Sequence, residues 1–399
     1  MKILVSNAGS SSLKYQLIDM ADEQVLAKGV CGRIGIGGEI QHKTADGRTF
    51  SAACDFPTHT EAFQKVVELL VSGEYGVIAN MDEISAVGHR VVQGAEYFAE
   101  SVVITDEVIG IIEKVSDLAP LHNPAHILAI NACKSVLSPG TPQVAVFDTA
   151  FHQTMPKKAY LYGLPYEYYE NYNIRKYGFH GTSHRFVSAR LANLMDKPIE
   201  ELKIITCHMG NGSSITAING GKSVDTTMGF TPLDGLLMGT RSGSLDPSVV
   251  TYIMEKEGLT PAQMNDLLNK KSGYLGLSGV SSDDRDLRAA ANEGNERAQI
   301  TVEMQSYQVK KYIGAYAAAM GGVDAVVFTG GIGEHSKLLR QSVCADMEFL
   351  GIRLDEEKNI SCNGSEAEIS TPDSKVGVWI IPTNEEFLIA QDTMRLISR

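Results

Sequence analysis

The sequence predicts an α/β protein built from a duplicated domain, and two observations lead there. A strand, a Gly/Ser-rich turn and a second strand occur near the start and recur past the midpoint. Each half later carries an apolar strand that ends in small or polar residues. Self-similarity on this scale marks a repeated supersecondary unit, and strands interleaved with helical stretches belong to α/β architectures.

In chain order, Ile3-Leu4-Val5 leads into Asn7-Ala8-Gly9-Ser10-Ser11-Ser12, after which Leu13 to Ile18 alternates as a half-buried strand does. In the second half, Ile204-Ile205-Thr206-Cys207-His208 leads into Gly210-Asn211-Gly212-Ser213-Ser214, and Ile215 to Ile218 repeats the second strand. Asn219-Gly220 is a hairpin signal, so a third strand is predicted at Lys222 to Thr226. The later strands are Val144 to Thr149 and Ala325 to Gly331. Between them lie helices. The stretch Gln299 to Met320 sets Val302, Val309, Tyr312, Ile313, Tyr316 and Met320 at mostly three- and four-residue steps, and Gly321-Gly322 stops it. A cleft between the two halves is the expected place for a ligand, because pockets favour domain interfaces.

At 399 residues the chain has room for about two domains. Its 35 Lys and Arg against 48 Asp and Glu give a net charge of -13, with no basic run to offset it, which argues against nucleic acid and anionic membrane as partners. The most apolar long stretch, Tyr312 to Phe328, is broken by Gly314, Gly321, Gly322 and Asp324, so no membrane span is expected. The N-terminal segment turns polar after three apolar residues, too soon for a secretory signal, and the six cysteines are scattered without a CxxC. A reducing cytoplasm and a small-molecule partner are expected.

Two Gly/Ser turns in duplicated halves, with Gly330-Gly331-Ile332-Gly333-Glu334 after a buried strand, suit a nucleotide whose phosphates rest on backbone N–H groups. The familiar phosphate motifs are absent. Gly221-Lys222-Ser223 has Thr216 where a P-loop needs its first glycine, and Ser336 stands where a dinucleotide fingerprint needs its third. The pairs His122/His126 and His180/His184 have metal-ligand spacing but no accompanying HExxH carboxylate or nearby cysteine, so no zinc site is expected. His180, followed by glycine and Thr/Ser at a predicted helix start, is the functional candidate among the histidines. Arg90 and Arg241 stand beside glycines in loop settings that suit an anionic substrate.

Six segments carry a resemblance to a known family: Val5 to Lys14, Arg175 to His184, Met228 to Gly235, Gly239-Thr240-Arg241-Ser242-Gly243, Phe328 to Glu334, and Thr383-Asn384-Glu385-Glu386. Together they resemble the acetokinase family, of the acetate and sugar kinase, Hsp70 and actin superfamily. The resemblance implies duplicated ribonuclease-H-like (actin-like ATPase) domains around a central nucleotide cleft. It implies a first domain of 1–150 plus 386–399 and a nucleotide-binding second domain of 151–385. The implied reaction is reversible, Mg²⁺-dependent transfer of the γ-phosphoryl group of ATP to acetate, giving acetyl phosphate and ADP, in a homodimer; Mn²⁺ is the alternative ion.

The resemblance also implies roles. Asp148, His180 and Arg241 are catalytic. Arg90 binds the acid, with Val92, Leu121, Phe179 and Pro232 around its methyl group. Lys14, His208, Met209, Gly210, Asn211, Gly212, Asp283, Asp284, Arg285, Gly331, Ile332, Gly333, Glu334 and His335 take the nucleotide, and Asn7 and Glu385 the metal. A carboxylate nucleophile has no proton to remove, so Asp148 is expected to orient an arginine or a metal-bound water and not to act as a base. The chain departs from the family at Gln93-Gly94-Ala95-Glu96, where His-Gly-Gly-Glu is usual, at His335, where Asn is usual, and at Asp234, where Glu is common. Two other classes share this superfamily fold. A sugar kinase needs a polar, base-equipped pocket, and an ATP-switched binding protein needs no acid pocket.

Overall fold

The computed structural model describes residues 1–120 and 122–398. The chain divides into two compact units, 1–151 with 384–399 and 152–383. In the first, β1 (Lys2–Gly9) and β2 (Ser12–Asp19) pair antiparallel with Gly9 opposite Ser12, so the strands run through most of the Gly/Ser segment and leave a tight turn. β3 (Gln24–Gly32), β4 (Glu39–Thr44) and β5 (Thr49–Ala53) continue the antiparallel sheet outward. On the other side of β1 lie β6 (Ile84–Val91) and β8 (Gln143–Phe147), both parallel to it, with the short β7 (Val102–Val103) at the edge.

In the second unit β9 (Lys203–Met209), β10 (Ser213–Asn219) and β11 (Lys222–Thr226) form an antiparallel meander. β12 (Ala325–Thr329) runs parallel to β9, and β14 (Gly377–Ile380) parallel to β12, with β13 (Ala367–Glu368) at the edge. Both sheets therefore contain the same five-strand order, β3-β2-β1-β6-β8 and β11-β10-β9-β12-β14. This is the duplicated α/β fold. On sequence, Val144 to Thr149 looks like the counterpart of Ala325 to Gly331. The topology corrects this: β12 lies beside the first strand of its sheet, as β6 does, and β8 corresponds to β14. β6 escapes a search for apolar runs because its inner end is Gly88-His89-Arg90.

Helices cover the sheets. In the first unit His59–Leu70 and Asn123–Val136 bury Phe63, Val66, Ala129 and Cys133 with Leu4, Leu17 and Ile40 on one face. The helix Glu385–Ile397 lays Ile389 and Ala390 on Ile3, Val5, Val144 and Val146 of the other face. In the second unit the long helix runs Glu296–Met320, three residues earlier than predicted because Asn295 caps it, and ends at a left-handed Gly321 as expected. It packs Val309, Ile313 and Tyr316 on Ile205, Cys207 and Ile215. All six cysteines are free thiols. No helix among the described residues is long and apolar enough to cross a membrane.

Three histidines are held neutral by these cores. Burial pushes His89 down to about 4 against the opposing bond of its Nε2 to Gln143. Burial, with the charge of Arg90 nearby, pushes His126 down to about 3, and burial takes His184 well below its ordinary value. In the unfolded chain each takes up a proton near pH 6.5. Their stabilisation is therefore complete above that pH and is lost on acidification toward the folded values, at up to about 1.4 kcal/mol per pH unit for each. Glu385, raised to about 7 chiefly by burial, works in the opposite sense, losing stabilisation as pH rises through that value. Three groups outweigh one, so without nucleotide or divalent ion the guanidinium midpoint should be lower at pH 5 than at pH 7. An equal or higher midpoint at pH 5 would refute the neutral burial.

Candidate active site

In the first unit the side chains expected to be functional stand at one end of the parallel strands. Asn7 lies near the end of β1, Arg90 near the end of β6, Asp148 just beyond β8, and Glu385 opens the helix Glu385–Ile397. Ligands in α/β sheets bind outside the carboxyl ends of the strands for the same geometric reason. Arg90 donates from Nε to Asp148 Oδ1 at 3.0 Å, from Nη2 to Asp148 Oδ2 at 2.7 Å, and from Nη1 to Asn7 Oδ1 at 3.4 Å. Asp148 is 1% exposed, and its backbone N–H is tied to Val91 O. The two-point pair fixes the plane of the guanidinium, which a single bond would leave free to swing. Burial acts against the charge of Arg90, but Asp148 and Glu385 outweigh it and hold the group above its ordinary range.

Burial is also the largest cause of the raised Glu385; Asp148 and Glu386 add to it, and Arg90 and Lys14 oppose it. Among the described residues no group of three or more His, Cys, Asp or Glu could hold a metal alone. One carboxylate and one amide oxygen, from Glu385 and Asn7, fit a hard divalent ion that keeps several waters and shares a substrate's phosphates. Lys14 faces Asn7 across the β1–β2 pair, and both line a cavity of about 430 Å³ that also reaches Lys28, Lys43 and Glu386. Val92 is buried beside the end of β6. Leu121 lies outside the described residues. Where the family's His-Gly-Gly-Glu is replaced, Gln93 Oε1 accepts from the N–H of Ala95, a non-glycine residue with φ of +48°. Gln93 is further stitched to Asn123 by bonds to both its backbone N–H and C=O.

In the second unit His180 is the left-handed residue (φ +55°) that opens the helix Gly181–Leu194, a backbone state uncommon outside glycine. Its ring stacks on His208 with centroids 4.2 Å apart, and Ser183 Oγ lies 2.8 Å from His208 Nδ1. Phe179 is buried and Pro232 half-buried. Arg241 is half-buried; its Nη1 donates to Pro232 O at 3.1 Å and approaches Met238 Sδ at 3.8 Å, and no carboxylate among the described residues pairs with it. Burial lowers its pKa, as an uncompensated cation requires.

His180 and Arg241 meet at Gly212: a Cβ there would lie 3.4 Å from His180 Nε2 and 3.5 Å from Arg241 Nη1. A side chain at this residue would stand between the two donors. Gly212→Ala makes ordinary contacts and should leave the melting temperature within about 2 °C, yet raise the nucleotide KM at least about fivefold by filling the position between the two donors. Wild-type kinetics in that variant would show the space to be unused.

A second cavity, of about 930 Å³, brings together Gly210, Asn211, Asp283, Asp284, Arg285, Gly331, Ile332 and His335. Asp283 caps the helix Asp284–Asn292, as its sequence setting suggests, and pairs with the exposed Arg285. Gly239 allows the Arg241 loop to reach Asn211, since a Cβ there would fall 2.1 Å from Asn211 Oδ1. Six of the residues assigned to the nucleotide do not line this cavity: Lys14 lines the first cavity, and His208 stacks on His180. Gly212 faces His180 and Arg241, Met209 is buried in the core, Gly333 packs near Phe328 and Cys207, and Glu334 Oε1 braces the N–H groups of Gly330 and Thr383. Gly330 to His335 form a short helix.

Sequence reasoning missed Arg288 and Lys337 in the cavity wall, and Arg340, which bonds to the short helix. Arg340 is fully buried and donates to Gly333 O, Glu334 O and Asn359, closing the end of the short helix. Nothing in the local sequence distinguishes this arginine from a surface one.

The sequence matches the model of the acetokinase family over residues 2–391. The chain belongs to the acetokinase family. It is similar to the acetate kinase of Halothermothrix orenii, at 59% identity over 398 residues and the full length of both chains. It is also 60% identical, over 399 residues covering 100% of this chain and 99% of the relative, to the acetate kinase of Caldanaerobacter subterraneus subsp. tengcongensis. Among solved structures it resembles Porphyromonas gingivalis acetate kinase (TM-score 0.96, 50% identity, 99% of each chain). A propionate kinase from Francisella tularensis subsp. tularensis is also close (TM-score 0.91, 41% identity, 99% of each chain). Membership of the acetokinase family makes the chain a kinase, a phosphotransferase with a carboxyl group as acceptor.

Proposed function

We propose that this chain transfers the γ-phosphoryl group of ATP to acetate, reversibly and with Mg²⁺, giving acetyl phosphate and ADP. Arg241 carries the reading: a half-buried guanidinium with no carboxylate partner among the described residues, converging with His180 on Gly212, suits an incoming anion. The reaction brings a carboxylate against a phosphoryl group. Two like unit charges 4 Å apart repel by about 4 kcal/mol at an effective dielectric near 20, roughly a thousandfold in rate. Placed cations remove that barrier. Arg241 and His180 donate to the charge on the transferring phosphoryl oxygens, and Arg90, held flat by Asp148, receives the acid. No general base is required, and Asp148, engaged at both oxygens by Arg90, serves as its orienter. Asn7 and Glu385 hold Mg²⁺, which when bound neutralises phosphate charge; Mn²⁺ suits the same oxygen donors. Lys14 lies along the phosphates, and the cavity between Asn211, Asp283 and Gly331 takes the nucleoside.

The working form is a homodimer in the cytoplasm. The helix Pro247–Glu257 buries none of its residues and exposes Val249 and Tyr252, which suits a second copy as cover.

The test is acid-dependent release of ADP. Acetate should be used best, propionate next and butyrate least, because one methylene in an apolar site is worth about 1 to 3 kcal/mol and a second must displace packed side chains. Val92→Ala should narrow the gap between acetate and propionate. Preference for butyrate, or an unchanged acetate-to-propionate ratio in Val92→Ala, would move the acid pocket elsewhere.

A further inference from the structure

We propose that Thr206, His184 and Ser214 form a directed hydrogen-bond chain that holds His180 in the neutral tautomer with its proton on Nε2. Three contacts build the chain, all within the second unit. His184 Nδ1 lies 2.7 Å from Thr206 Oγ1, His184 Nε2 lies 2.8 Å from Ser214 Oγ, and Ser214 Oγ lies 2.9 Å from His180 Nδ1. Thr206, His184 and Ser214 are each fully buried, so no solvent competes for their protons. The three side chains come from β9, the helix Gly181–Leu194 and β10, elements whose mutual packing leaves their spacing little freedom.

The direction of the chain follows from proton bookkeeping. Thr206 Oγ1 has one polar neighbour among the described residues, His184 Nδ1. A buried hydroxyl must place its proton on an acceptor or leave a hydrogen bond unmade, so Thr206 donates to Nδ1. Burial keeps His184 neutral, so an imidazole that accepts at Nδ1 carries its single proton at Nε2, and that proton goes to Ser214 Oγ. Among the described residues Ser214 Oγ has only the two imidazole nitrogens as partners. Accepting from His184, it donates to His180 Nδ1. A neutral His180 that accepts at Nδ1 carries its proton on Nε2, the nitrogen beside Gly212 and Arg241. Running the chain backwards would leave the Thr206 hydroxyl without an acceptor and turn a lone pair, not an N–H, toward that space.

Thr206, His184 and Ser214 are thus positioning residues: they touch no substrate and act through His180. The inference rests on the reading of His180 as a donor to the phosphoryl oxygens, but its central observable does not. In the substrate-free, full-length, ¹⁵N-labelled protein at neutral pH, long-range ¹H–¹⁵N correlation reads the tautomer directly. The His180 signals are assigned by their loss in His180→Gln. The expected spectrum shows His180 with a protonated Nε2 and an unprotonated Nδ1. Thr206→Val removes the proton that directs the chain, so His180 should become a tautomer mixture. There kcat should fall by a factor of about 3 to 10 while both KM values stay within about twofold, and Thr206→Ser should restore tautomer and turnover together. A wild-type His180 protonated on Nδ1 would overturn the proposal, whether or not the variants fold. So would a Thr206→Val protein with the wild-type spectrum and the wild-type kcat. A wild-type protein with the Nε2 proton in place but no acetate phosphorylation would overturn the functional reading and uphold the chain.

Discussion

Arg241→Ala is expected to lower kcat/KM at least about 10²-fold, the usual cost of losing one donor to transition-state charge, while leaving the melting temperature within about 3 °C of wild type. The two halves of that expectation have one cause. In the folded protein the guanidinium has a backbone carbonyl and a thioether for company, and burial opposes its charge. It is a half-buried cation with no counter-ion among the described residues, so deleting it removes a cost to folding along with the proposed donor. Arg241→Lys keeps the charge but loses the fork, and should fall between the two. Steady-state kinetics with thermal melts checks this. Activity within about threefold of wild type in Arg241→Ala would take the residue out of the mechanism.

Asp148→Asn is expected to cost about 10²-fold in kcat/KM by a different route. The amide can accept only one of the two Arg90 bonds, and a reacting group displaced by about 1 Å loses that much rate. Because the loss is one of placement, the KM for the acid should rise with the fall in kcat, and both limbs of the kcat pH profile should persist. If instead one limb disappears while the affinities for acetate and Mg²⁺ stay put, Asp148 is a base and the orienting role is wrong.

These two residues also show how far sequence can be read. The hairpins β1–β2 and β9–β10 are legible because turn chemistry and alternation are local, and Asn219-Gly220 announces β11. The long helix is legible for the same reason, from its spacing and its Gly321 stop. β6 is not, since Gly88-His89-Arg90 interrupts the apolar run that identifies a buried strand. Nor is the helix Gly330–His335, three of whose six residues are glycines that disfavour helix; its end is closed by Arg340, supplied from farther along the chain. In the site, Arg90 and Asp148 can each be nominated from their neighbours, but 58 positions separate them. Their pairing exists only because β6 and β8 lie side by side. Thr206, His184 and Ser214 read as ordinary strand and helix residues until burial leaves their protons a single arrangement. The metal and nucleotide roles rest on the family's motifs, whose loops have no periodicity to read.

The most direct measurement mixes the full-length protein with ATP, Mg²⁺, acetate and hydroxylamine, and follows ADP and acetohydroxamate together. Hydroxylamine traps an acyl phosphate and leaves a sugar phosphate or free phosphate untouched. Equal amounts of ADP and acetohydroxamate, neither formed when acetate is omitted and both greatly reduced by Arg241→Ala, are the expected result. ADP released without acetohydroxamate, or released equally well with glucose in place of acetate, would contradict phosphoryl transfer to a carboxylate.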